Sequence, residues 1–239
     1  GSQTVVYATH SWGSYHWART SNPFALKLGD NVSSVWDPIL ATTSSDWSVS
    51  SVLNTNTVTG QGRSSCRATK GRVEVCNKTY GNNGWLGVAQ IWVNSSGHIA
   101  QGTVKVNDTY FNTPTYNTTA WRNLVMCQEV GHTLGLDHQD ENFDNLNLGT
   151  CMDYTSDPST NQHPNQHDYD QLVNIYNHLD STTSLGSTVL PKGNANEVDS
   201  DNPSTWGKSL RKDNKGNNSV FGRDLGGGEK LFTFVIWAN

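Results

Sequence analysis

Apolar and polar side chains alternate along residues 86–93 as they do on a β-strand, and after a Ser96-Gly97 turn signal residues 98–107 read as a second strand. Residues 24–28, which follow an Asn22-Pro23 turn signal, and residues 73–76 are shorter strand candidates, with residues 4–7 another. Trp36, Ile39, Leu40, Trp47 and Val49 instead recur at near-helical spacing, and Asp37-Pro38 marks the start of a helix. A second helix is predicted over residues 121–134, with Thr119 as its cap. A third spans residues 168–179, where Leu172, Ile175, Tyr176 and Leu179 form a 3.6-residue stripe. Aspartates near its start suit the positive end of the helix. Residues 187–222 are rich in Gly, Asn, Ser, Asp and Lys and read as loop. Residues 231–237 are a strong strand signal, expected to pack back onto the rest or to pair with Val220-Phe221. The fold class is α/β (α+β).

The second helix carries the chemistry. Its run Gln128-Glu129-Val130-Gly131-His132-Thr133-Leu134-Gly135-Leu136-Asp137-His138 matches the pattern H-E-x-x-H-x-x-G-x-x-H everywhere except the first position. Residues 128 and 132 share one helix face. Glu129 points away from the ligand positions, toward where a water would sit. Gly135 can end the helix in a left-handed turn and bring His138 back to the same point. Gln128, His132 and His138 with one water make the open, three-ligand zinc site of a hydrolase, and Glu129 is the general base. The Gln128 amide oxygen is a poorer donor than imidazole, and an amide lacks the second ring nitrogen that fixes imidazole's orientation. Gln128 can therefore be read as a native ligand, as the mark of a metal-poor binding protein, or as an introduced replacement of His.

Downstream stands Thr150-Cys151-Met152-Asp153-Tyr154. Together with the helix motif it resembles the metzincin clan of zinc metallopeptidases, over residues 85–180. The resemblance implies that Met152 forms an apolar floor beneath the metal. It implies that the Tyr154 hydroxyl approaches the metal and helps to stabilise the tetrahedral intermediate. It implies a twisted, mostly parallel sheet above a less regular lower part, with a peptide cleft between them. It also places a strand, residues 98–107, at the lower edge of that cleft, where an extended peptide or protein substrate pairs with it. His98 near this edge reads as a surface or loop histidine, with metal ligation the lesser alternative.

Composition narrows the setting. Of 239 residues, 34% are hydrophobic and only 15% charged, so Asn, Ser, Thr, Gln and Gly must make the surface, which suits a secreted, extracellular protein. A net charge of -5 with no basic block argues against nucleic-acid partners. No run reaches the roughly 18 apolar residues of a membrane span. Gly1-Ser2 reads as the remnant of tag cleavage, so an export signal or pro-segment is expected to lie outside the numbering. Four cysteines fit an oxidising compartment and allow three pairings. Cys66–Cys76 with Cys127–Cys151 is preferred because both loops are short and the second clamps the motif helix to the Met152 turn. A monomer is expected, with residues 3–182 as the catalytic domain and 183–239 as an extension ending in a strand on the same domain.

Overall fold

The computed structural model describes residues 9–62, 66–186 and 201–238. The strand expected at residues 4–7, and residues 187–200 of the expected loop, lie outside that range. The apolar and β-branched runs pair into one twisted, mixed sheet. Its strands are β1 (His16–Trp17), β2 (Phe24–Asn31), β3 (Leu53–Thr59), β4 (Val73–Lys78), β5 (Trp85–Val93), β6 (His98–Asn107), β7 (Lys208–Lys212), β8 (Asn218–Gly226) and β9 (Glu229–Trp237). They run in the order β3-β2-β4-β6-β5-β9-β8-β7, with β1 paired to β6. The β3-β2-β4-β6 half is parallel. The β6-β5-β9-β8-β7 half is antiparallel.

Parallel neighbours need a crossover. Helix α1 (Asp37–Trp47) supplies it between β2 and β3, with Pro38 in its first turn. Helix α2 (Asp108–Phe111) is a single turn after β6. Helix α3 (Thr119–Thr133) is buried almost throughout its second half and packs on β5, β6 and α1. Its cap is Thr118, whose hydroxyl accepts from the Trp121 amide at 3.2 Å, and not the expected Thr119. Helix α4 (Gln166–Ile175) opens on a capping box made by Asn165 and Asp168. It stops short of the expected Leu179, which is exposed. The reason is competition for carbonyls: Asn22 donates to Tyr176 O at 2.8 Å and Arg19 donates to His178 O, in place of helical amides.

Two expectations are corrected here. Strand β6 lies between β4 and β5, and β5 lies between β6 and β9, so neither offers a free edge to a substrate. Strand β9 fills the position that would have made β5 an edge. Residues 208–212 and 218–222, read as loop, lie in strands. Their composition hid them because β7 buries no residue fully and β8 buries only Ser219, Val220 and Phe221. The expected pairing of Val220-Phe221 with the last strand is present, Val220 opposite Phe234 and Phe221 opposite Thr233. The main core joins α1 and α3 to the sheet through Trp17, Trp36, Trp47, Leu124, Val130 and Phe234. A smaller cluster of Trp85, Val88, Trp206, Phe221 and Val235 lies apart from it among the C-terminal strands.

Cys66 is bonded to Cys76, and Cys127 to Cys151. The second bond closes 24 residues and fastens α3 to the segment before Met152. Replacing both Cys127 and Cys151 by Ala is expected to lower the unfolding free energy by about 3 kcal/mol, from the loop closed. Denaturant unfolding checks this, and a loss below about 1 kcal/mol would show that the clamp matters little.

Candidate metal centre

Gln128, Glu129 and His132 lie in the second half of α3 and are fully buried. Beyond the helix Gly135 takes φ +98°, and a Cβ there would stand 2.6 Å from the Tyr15 carbonyl oxygen, so only glycine fits. That reversal returns His138 to His132. Their Nε2 atoms are 2.9 Å apart and the rings cross at 88°.

The other ring nitrogens decide what these two can do. His132 Nδ1 lies 2.9 Å from the Leu136 carbonyl oxygen, which only accepts, so the proton is on Nδ1. His138 Nδ1 lies 2.7 Å from a Glu141 carboxylate oxygen. Burial would raise the Glu141 pKa, but the His138 hydrogen bond and the His138 and Arg211 charges outweigh it and hold it low. Glu141 is therefore an acceptor, and His138 also carries its proton on Nδ1. The two Nε2 atoms then face each other in a buried space, an arrangement that a cation between them would satisfy. Burial, and next the neighbouring His138, push His132 well below the usual histidine range, so a proton is disfavoured there. With bonds of about 2.0–2.1 Å, two nitrogens on a tetrahedral zinc sit about 3.3 Å apart, so a small outward shift from 2.9 Å would admit the ion.

Gln128 lies one turn before His132 on α3. Its Nε2 donates to the Cys151 carbonyl at 2.7 Å, and its buried Oε1 has no hydrogen-bond partner among the described residues. One end of the amide is held and the other faces inward, much as with the two nitrogens of an imidazole ligand. The anchoring carbonyl belongs to Cys151, which the disulfide fastens to the residue preceding Gln128.

The Glu129 carboxylate is fully buried, and no side chain among the described residues hydrogen-bonds to it. Burial drives its pKa well above the usual range, and the Ala89 backbone amide, acting the other way, does not offset it. Met152 is also fully buried, close under α3: a Cβ on Gly131 would stand 2.5 Å from its Sδ. Thr150 donates to Asp168, which also accepts from Gln139 at 2.8 Å, so the Met152 turn is tied to the start of α4. Tyr154 packs its ring on His138 at 4.4 Å and on Phe143 at 4.7 Å.

The C-terminal strands close over this group. The Phe234 ring of β9 is stacked on His132, with centroids 4.2 Å apart and planes 9° from parallel. Tyr154 Oη donates to the Val235 carbonyl at 3.1 Å, and burial raises its pKa well above the usual phenol range. Arg211 of β7 binds Asp137 through both Nη atoms, at 2.7 and 2.5 Å, and Glu141 at 2.8 Å. In consequence Glu129 and His132 are 0% exposed, Tyr154 1% and His138 7%. Sequence reasoning missed Glu141, Arg211, Phe234 and Val235. Glu141 had a usable signal, three residues after His138, whereas the others are far away along the chain.

No protein-family model matches the chain. No curated protein matches it. Among solved structures the fold is similar to the crystal structure of myroilysin, with 10% sequence identity and a TM-score of 0.38, over 74% of this chain and 98% of that one. A superposition so loose carries no argument about function, and the centre is read from its own side chains alone.

Proposed function

We propose that the chain is a secreted zinc-dependent endopeptidase of metzincin type, held latent by its own C-terminal strands. The observation that carries this reading is the pair of buried imidazoles with both Nδ1 atoms committed and both Nε2 atoms facing at 2.9 Å, next to a buried carboxylate that no side chain pairs. His132, His138 and the Gln128 Oε1 atom would hold the ion. Bound zinc supplies Lewis acidity toward water and a peptide carbonyl. Glu129, its pKa raised by burial, takes a proton from water and returns it to the leaving amine. The Tyr154 hydroxyl donates to a developing oxyanion once it is released from Val235. The two disulfides fit an oxidising compartment, and no helix among the described residues is long and apolar enough to cross a membrane.

A second reading is a metal-holding protein without turnover. Complete burial of Glu129 and His132 favours it, because a peptide cannot reach either while β9 is in place. Incubation of the chain, cut before β7 so that the C-terminal strands can leave, with a diverse peptide library, with zinc and with chelator, tests the first reading. Zinc-dependent cleavage that disappears with chelator and returns with added zinc is expected. Zinc retained by His132 and His138, with no cleavage even after the C-terminal strands are displaced, would establish the second.

A further inference from the structure

Three donor side chains outside this centre also meet at a point, His16, His178 and Asp180, with His98 beside them. His16 on β1 stands opposite His98 on β6 in parallel register, and their ring centroids are 5.0 Å apart. His178 and Asp180 come from the segment after α4. His98, read as a surface or loop histidine, instead begins β6 and turns its Nε2 to within 3.3 Å of Asp180 Oδ1. His16 Nε2 is 3.1 Å from His178 Nε2 and 3.4 Å from Asp180 Oδ2. His178 Nε2 is 3.8 Å from Asp180 Oδ1. The carboxylate is held in place by Arg19, whose guanidinium and backbone amide donate to Oδ2 at 2.8 and 3.2 Å.

We propose that His16, His178 and Asp180 bind one divalent transition-metal ion, with zinc the best fit, as a staple joining β1 to the chain after α4. The first argument is orientation. His16 Nδ1 donates to the Ser14 carbonyl at 2.7 Å, which holds the ring with Nε2 turned to His178 and Asp180. The second argument is geometric. Donors on one tetrahedral zinc sit about 3.3 Å apart, within the observed span of 3.1 to 3.8 Å. The third is chemical: two imidazoles and one carboxylate suit a borderline ion, whereas calcium and magnesium take oxygen ligands. Three protein donors leave a fourth position open to water. Arg19 takes up the charge of Oδ2 and leaves Oδ1 for the metal.

The test counts metal in a chain whose other centre has been removed. The full-length His132→Ala protein, equilibrated with zinc and dialysed, is expected to keep one zinc ion by atomic emission. The His132→Ala/His178→Ala protein is expected to keep none; His178 has a half-exposed side chain, so its removal should spare the fold. Cobalt loading of the His132→Ala protein should give the visible bands of a four-coordinate ion, and these should vanish with His178→Ala. Should the His178 change impair folding by circular dichroism, His16→Ala removes a second ligand and should act alike. A folded His132→Ala protein that retains no metal would overturn the proposal. Metal content or cobalt bands that survive both the His178 and the His16 changes would do the same. Because His132 is absent throughout, neither result bears on the endopeptidase reading.

Discussion

Cutting the chain within residues 187–200, at an inserted site for a sequence-specific protease, is expected to raise peptide hydrolysis by two to three orders of magnitude. The uncut chain holds β7–β9 against the centre at an effective concentration of about 1 mM, and at micromolar protein a cut segment loses about a thousandfold of that advantage. Once it departs, the face of β5 that pairs with residues 230–237 is open to an extended peptide. Adding Glu129→Gln to the cut protein is expected to lower the gained rate by about 10²–10⁴, the usual worth of a general base, while zinc content is unchanged. A synthetic peptide with the sequence of residues 229–237 should compete with substrate. Complete cutting and separation of the fragment without any rise in hydrolysis would sink the latent-enzyme reading.

Removing the His132 imidazole should abolish zinc binding at the first centre and the stability that comes with it. An ion bound only by the folded state adds about 4 kcal/mol when free metal exceeds Kd a thousandfold. In a His178→Ala background, where the first centre alone is counted, His132→Ala is therefore expected to erase the zinc-induced rise in unfolding free energy. Gln128→Leu should do less, weakening zinc about 10–100-fold, the effect typical of losing an outer partner or a weak ligand. Gln128→His should tighten it, provided that the new Nδ1 donates to the Cys151 carbonyl as the amide does. Zinc affinity unaltered by both Gln128 changes, measured by competition with a chelator, would show that the amide oxygen is not a ligand.

The parts of the molecule that were legible in the sequence are those whose signals are local. Glu129, His132, Gly135 and His138 lie within ten residues, and helix periodicity with one glycine reversal suffices to bring the two histidines together. The C-terminal strands were half legible. The apolar run in β9 announces a strand, but alternation does not say which partner it takes, and β5 lies more than a hundred residues earlier. Strand β7 was unreadable because an outer strand with exposed side chains carries loop-like composition. The cap was misplaced by one position because Thr118 and Thr119 offer the same hydroxyl and only backbone direction separates them. His16 and the His178-Asp180 pair had no local spacing to link them, since their meeting depends on where β1 lies and on where α4 ends.

Strand β9 is at once the cover of the centre and a full member of the sheet, pairing from Trp85 to Val93 on one side and with β8 on the other. A hinged flap opens and shuts many times for little work. This cover leaves only by tearing two ladders and wetting Leu231, Phe234, Val235 and Ile236, all nearly or fully buried. The interval between exposures is then governed by how often the sheet comes apart, and substrate concentration has no purchase on it. Amide hydrogen exchange along residues 231–236 measures that interval directly. If the sequence of events is as described, those amides exchange as slowly as the centre of α3 in the intact chain. In severed protein, by contrast, the return of the cover depends on the concentration of free fragment, so dilution alone moves molecules from the stored to the working state.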